Sequence, residues 1–181
     1  MKGKILLPKT LGNVRERITS AAKEELLAKN GFSLRAVAEK CGIATGTVYN
    51  YFPDKETITA SVMAEDWRVA LSDMDAAAAR AAGFKEGAAA VYAALEGYVL
   101  RYEAVWRSYK GGSYNKSRRK YHGMLRKSIT DRILSLANRF SVEIGEKLLP
   151  VVGETMLSCA LEDDIGAENF AAFIEMIFNK K

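Results

Sequence analysis

The chain has 181 residues, 49% of them hydrophobic, with 27 Lys/Arg against 22 Asp/Glu, three prolines, two cysteines and one histidine. That length admits one domain, or a small domain joined to a larger one, and the Ala-, Leu-, Glu- and Lys-rich composition makes the expected fold class all-α. Two distant cysteines build no disulfide framework and one histidine without a partner at ligand spacing builds no metal site; with no Ser-His-Asp, Cys-His or phosphate-loop pattern either, no enzyme, metal or cofactor is expected.

The net charge of +5 is unevenly placed. Residues 1–55 hold ten Lys/Arg against five Asp/Glu, which is the whole surplus. A basic third on a neutral remainder points to a polyanion partner; a solvated basic surface is the plainer reading. The apolar run Ile5-Leu6-Leu7 is too short for the core of a secretion signal, and no stretch approaches membrane-spanning length. A cytoplasmic location with no membrane partner is expected.

The spacing of Val14, Ile18, Ala21, Ala22 and Leu26 predicts a helix over 14–29. Thr10 is its candidate N-cap and Gly31 its candidate left-handed C′ residue. Arg15 and Arg17 oppose the helix dipole in its first turns. A bound anion would offset that for Arg15, and Arg17 reads as plain surface charge.

Ser33 is placed to cap a short helix from Leu34 to Lys40, with Leu34, Val37, Ala38 and Cys41 inward. Gly42 supplies the turn and Ile43 plugs it. A second short helix runs from Thr45 to Tyr51 with Val48 inward. A small residue (Ala38), a turn glycine (Gly42) and an apolar residue (Val48) make this a helix-turn-helix. The outward positions Thr45, Gly46, Thr47, Tyr49 and Asn50 are small or polar apart from Tyr49, which suits a helix entering a major groove. Lys55, after Pro53 and Asp54, lies at the start of the next helix, within reach of a phosphate.

The segment Gly42-Ile43-x-x-Gly46-Thr47-Val48-Tyr49-x-Tyr51-Phe52-x-x-Lys55 resembles the recognition helix and following cap of the tetracycline-repressor (TetR) family of bacterial transcription regulators. Ala21-Ala22 and Leu34-Arg35-x-Val37-Ala38 fit the same pattern. The resemblance covers residues 14–67 and implies roles. Tyr49, Tyr51 and Lys55 match contacts to the DNA backbone. Thr45, Gly46, Thr47 and Asn50 lie on the face that reads the major groove. Ser33, a cap hydroxyl near phosphate, and Arg35 join the DNA-binding set. Two departures stand out: the link Asn30-Gly31-Phe32 is short, and Ala44 replaces a common capping serine.

Beyond the motif, Phe52 to about Ala82 reads as one or two helices, with Asp54 as N-cap and Ile58, Val62, Trp67 and Leu71 on an apolar face. Met63 and Trp67 are candidates for a cavity wall as well as for plain core. Residues 84–109 carry one long stripe with steps of three and four. In it Tyr92, Tyr98, Tyr102, Trp106 and Tyr109 put polar-tipped aromatic rings on one side, which suits a ligand pocket, and Met124 is grouped with them. Residues 107–139 hold ten Lys/Arg against Asp131 alone, and 143–175 hold eight Asp/Glu against Lys147 alone. These surfaces are expected to face each other, within a subunit or across a dimer. Two last helices, about Pro150–Leu161 and Ala167–Phe178, close the chain. The resemblance implies a homodimer there, through Val152, Thr155, Met156, Cys159, Phe170, Phe173, Ile174 and Ile177.

The expected layout is a DNA-binding domain of three helices over residues 1–55 and a larger helical ligand-binding and dimerisation domain over 56–181. The function the resemblance implies is a homodimeric regulator, a repressor released from a palindromic double-stranded DNA operator by a small-molecule effector. The alternative is a DNA-organising or adaptor protein of the same fold that senses nothing.

Overall fold

The computed structural model describes residues 13–110, 116–162 and 166–178, and among these every regular element is an α-helix. They divide into two compact units, residues 1–64 and 65–181. The first unit holds α1 (Val14–Lys29), α2 (Leu34–Cys41), α3 (Thr45–Tyr51) and the start of α4 (Lys55–Arg80), so the division falls inside α4.

α1 buries the predicted face of Val14, Ile18, Ala21, Ala22 and Leu26. Its ends differ from expectation. The N-cap is Asn13, with φ 87° and no side-chain cap bond; Thr10 lies outside the described residues. The left-handed residue that closes the helix is Asn30, with φ 55°, and not Gly31. The helix stops at Lys29, and asparagine tolerates that conformation better than most residues.

α2 begins as the sequence predicts: the Ser33 hydroxyl accepts from the Ala36 N–H at 3.1 Å. It ends on Gly42 at φ 63°, where the Gly42 and Ile43 amides return to the carbonyls of Glu39 and Ala38, each at 3.0 Å. That paired closure needs a left-handed residue, which glycine adopts without strain. α3 has no side-chain cap at Ala44, and Val48 is its buried residue. α4 is one helix, and its start is well made. Asp54 Oδ1 accepts from the Thr57 N–H at 2.7 Å and from the Thr57 hydroxyl at 2.6 Å, which lowers the Asp54 pKa.

The second unit contains the rest of α4 with α5 (Phe84–Arg101), α6 (Glu103–Lys110), α7 (Lys116–Arg139), α8 (Leu149–Ala160) and α9 (Ala167–Phe178). α5 is its centre: it packs against α7, α8 and α9, while α7 also packs against α8. The stripe over 84–109 is not one helix. It breaks at Tyr102 (φ −114°, ψ 22°) into α5 and α6, where the Tyr102 hydroxyl donates to buried Asp66 of α4 at 2.7 Å.

The basic α7 is engaged largely inside the unit. Arg139 caps α4 from outside, donating to the carbonyls of Ala78 at 2.7 Å, Ala79 at 3.2 Å and Ala81 at 3.1 Å, a favourable place for a cation. Arg132 pairs with Asp75 at 2.7 Å, and Arg126 and His122 each lie 3.4 Å from Glu154 of α8. At Glu154 the basic and acidic segments therefore do meet within the subunit. The side chains of residues 116–120 lie outside the described residues.

Gly153 marks the α7–α8 crossing. A Cβ there would run into the Thr130 hydroxyl and lie 3.1 Å from the Arg126 carbonyl oxygen, a backbone atom that moves only with the helix. Gly153→Ala is expected to destabilise the chain by about 1–3 kcal/mol, the usual cost of overpacking, read as a melting temperature lower by several degrees. An unchanged melting temperature would show that the crossing is loose.

Candidate functional site

The first unit presents a helix whose outer face is uncharged. On α3, Tyr49 is 53% exposed, Gly46, Asn50 and Tyr51 are exposed, and Thr45 and Thr47 are half-buried. Val48, fully buried, pins the opposite side. A Cβ on Gly46 would meet nothing within 4 Å, so packing inside the chain does not require a glycine there, although it costs the helix about 1 kcal/mol relative to alanine. Ser33 is exposed while its hydroxyl caps α2.

The cations of the first unit are less available than the net charge suggests. Arg35 is paired with Glu39 at 2.9 Å, Lys29 with Glu25 at 2.7 Å, and Lys40 with Glu24 at 2.6 Å and Glu25 at 3.5 Å. Lys55 is exposed, its Nζ 5.1 Å from the centroid of the Phe32 ring. Arg17 is not plain surface charge: its guanidinium donates to the carbonyl of Cys41, the last residue of α2, and the Cys41 thiol returns a bond to the Arg17 carbonyl at 3.3 Å. Burial raises the Cys41 thiol pKa. Arg15 reaches the end of α3, donating to the Tyr51 carbonyl at 3.3 Å. Sequence reading missed both arginine contacts; the signal available was a base at two positions where the α1 dipole disfavours one.

In the second unit the predicted pocket aromatics are brought together, but packed on one another. Trp67, Tyr92, Tyr98, Tyr102 and Trp106 are all buried. Tyr98 meets Trp67 edge-on at 4.9 Å and Tyr102 at 5.5 Å, Tyr92 stacks on Phe170 at 4.7 Å, and Trp106 stacks on Tyr121 at 6.3 Å. The hydroxyl tips of Tyr98 and Tyr102 are met from inside. The Tyr98 and Tyr121 hydroxyls lie 2.5 Å apart, and Asp66, 1% exposed, accepts from Tyr102 and lies 3.3 Å from Arg101 Nη1. Burial pushes the Tyr98 and Tyr102 phenols far above the ordinary tyrosine range, helped by Tyr121 for the first and by the bond to Asp66 for the second, so both stay protonated hydrogen-bonding groups.

Asp66 was not singled out from the sequence, yet it continues the spacing of Ile58 and Val62 by one more step of four. An acid inside an apolar period was the available signal. The other pocket candidates separate. Met63 is buried in the first unit, Met124 is exposed on α7, and the Tyr109 side chain lies outside the described residues. Trp106 also lines a cleft of about 390 Å³ between α5, α6 and the end of α8, walled by Val99, Leu100, Ala160 and Leu161 and rimmed by Glu103, Arg107 and Glu162.

The two terminal helices also divide. Val152, Met156, Phe170 and Ile174 are buried in the subunit's own core, whereas Thr155, Cys159, Phe173 and Ile177 are half-buried. Among the described residues, the large apolar side chains left exposed on α8 and α9 are Val151, 57% exposed, and Met176, 77% exposed. Among the described residues no helix is long and apolar enough to cross a membrane.

The model of the bacterial regulatory proteins of the tetR family matches residues 18–62, which contain α2, α3 and the turn between them. The chain carries a TetR-family helix-turn-helix domain. The transcriptional regulator UidR of Escherichia coli K12 is 36% identical over 61 residues, 32% of this chain and 31% of UidR. The match thus spans less than a third of that relative. The TetR-like fold extends further. RolR, solved with resorcinol, superposes with a TM-score of 0.69 at 16% identity, covering 91% of this chain and 86% of RolR. A transcriptional regulator from Rhodococcus sp. RHA1 gives 0.71 at 16%, covering 92% and 95%. A TetR/AcrR-family regulator from Thermobifida fusca gives 0.57 at 20%, covering 90% and 94%.

Proposed function

We propose that the chain is a homodimeric TetR-type transcriptional regulator that represses by gripping a palindromic operator and is released by a small-molecule effector. The observation that carries the DNA-binding part is the outer face of α3: exposed, uncharged, rich in hydroxyl and amide groups, and small at Gly46 where a backbone must approach. Thr45, Thr47 and Asn50 read base edges, and Tyr49, Tyr51 and Lys55 hold phosphates. Ser33 and Arg35 flank the same groove, Arg35 through a charge it shares with Glu39. Replacing Tyr49 or Lys55 with alanine is expected to weaken binding to all duplex sequences, and the loss of Lys55 flattens the slope of log affinity against log salt by about one. Unchanged binding across a salt series would remove these roles.

Dimerisation runs through the faces of α8 and α9 left uncovered in the subunit, those of Val151, Thr155, Cys159, Phe173, Ile177 and Met176. The buried residues Val152, Met156, Phe170 and Ile174 support that face from behind. Val151→Asp is expected to yield monomers in sedimentation velocity; persisting dimers would place the interface elsewhere.

The effector binds in the cleft beside Trp106, whose ring joins it to the Tyr121–Tyr98 pair. A bound molecule shifts the subunit toward a state with lower operator affinity by its differential binding energy. The fold shared with RolR makes resorcinol the first probe. It is expected to raise the melting temperature of the wild-type chain and not that of Trp106→Ala. The second reading, a DNA-binding adaptor that senses nothing, is favoured by the close packing of Tyr92, Tyr98 and Tyr102. No thermal shift across a panel of small aromatic compounds would support it.

A further inference from the structure

Arg15 stands in the first turn of α1, where a positive charge opposes the dipole of its own helix. Its guanidinium is directed to another helix. Nη1 donates to the carbonyl of Tyr51, the last residue of α3, at 3.3 Å, and Cζ lies 4.3 Å from the centroid of the Phe52 ring. Phe52 is fully buried, and its own N–H closes α3 on the Val48 carbonyl at 3.0 Å. These two guanidinium contacts therefore fall on the C-terminal end of α3.

α3 lacks what would hold it alone. It has seven residues, no side-chain cap at Ala44, a glycine inside it and no basic residue in its last turn. Helices this short are not stable by themselves, and the carbonyls at a helix C-terminus carry partial negative charge that a cation stabilises. α2 is better provided. It has the Ser33 cap, Lys40 in its last turn and Arg17 on the Cys41 carbonyl. The two α1 arginines thus serve one helix each, and for α3 the missing cation comes from α1.

We propose that Arg15 is a positioning residue for the recognition helix, a guanidinium that caps the C-terminus of α3 and lies over Phe52, rather than one of the phosphate contacts its exposure and basic surroundings suggest. The planar group matters: a lysine ammonium keeps the charge but loses the flat contact with the ring. The consequence for DNA rests on the proposed function; the contact itself does not.

Two measurements on the full chain separate these. The first is amide hydrogen exchange of free wild type, Arg15→Ala, Arg15→Lys and Arg17→Ala. Exchange at the Tyr51 and Phe52 amides is expected to quicken about tenfold in both Arg15 variants, the effect of losing a hydrogen bond to a charged group, and to stay at the wild-type rate in Arg17→Ala. Wild-type protection in Arg15→Lys overturns the proposal, and that variant keeps the test open should Arg15→Ala fail to fold. The second is binding of a random-sequence duplex over a salt series. Affinity is expected to fall several-fold in both Arg15 variants with the salt slope unchanged. A slope flatter by about one in Arg15→Ala, restored in Arg15→Lys, marks a phosphate contact and overturns the proposal. If the wild-type chain binds no duplex, the DNA-binding reading fails, and the exchange result still decides what Arg15 does.

Discussion

The first unit depends on holding a helix that cannot hold itself. α3 is two turns long, uncapped at its start and interrupted by glycine, so its place is fixed from outside. The left-handed turn at Gly42 sets its direction, Val48 anchors its inner side, and α1 closes its far end through Arg15. The same poverty makes its outer face usable. With no charge and no bulk except Tyr49 and Tyr51, the helix can lie close to a polyanion, and its hydroxyl and amide groups can be matched to bases without a competing salt bridge.

The second unit is organised around a different constraint, the burial of polar tips. Tyr98, Tyr102 and Asp66 lie in the core, and a buried polar group without a partner is costly. They meet that demand among themselves and with Tyr121. The Tyr102–Asp66 bond ties α4 to the point where α5 gives way to α6. The aromatic stripe is consequently a packed, hydrogen-bonded layer, and accessible space lies beside it, where Trp106 borders the cleft.

Much of this was legible in the sequence. The apolar spacing of α1, the Ser33 cap, the Gly42 turn, the inward Val48 and the Asp54 cap are local effects, and the structure places each where propensity and capping chemistry put it. The parts that were not legible depend on partners distant in the chain. A stripe with unbroken period from 84 to 109 gives no sign that Tyr102 will leave the helix, and the partner of its hydroxyl, Asp66, lies 36 residues earlier. The same holds for Arg15 and Arg17, which read as charges until α2 and α3 are brought against α1. On α8 and α9 the apolar spacing was plain, but periodicity does not say which part of an apolar face the subunit's own core will take. Asn30 in place of Gly31 is a smaller case: the helix ends at Lys29 as its spacing predicts, and the left-handed turn falls on the asparagine beside the glycine.

In the proposed regulator the uncharged face of α3 reads DNA as one half of a symmetric pair. Selection of bound duplexes from a random-sequence pool by the full chain tests it most directly. The expected result is enrichment of a two-fold symmetric motif whose half-sites are centred about one helical turn apart. Recovery of unenriched sequence, or of a single asymmetric site, would contradict it.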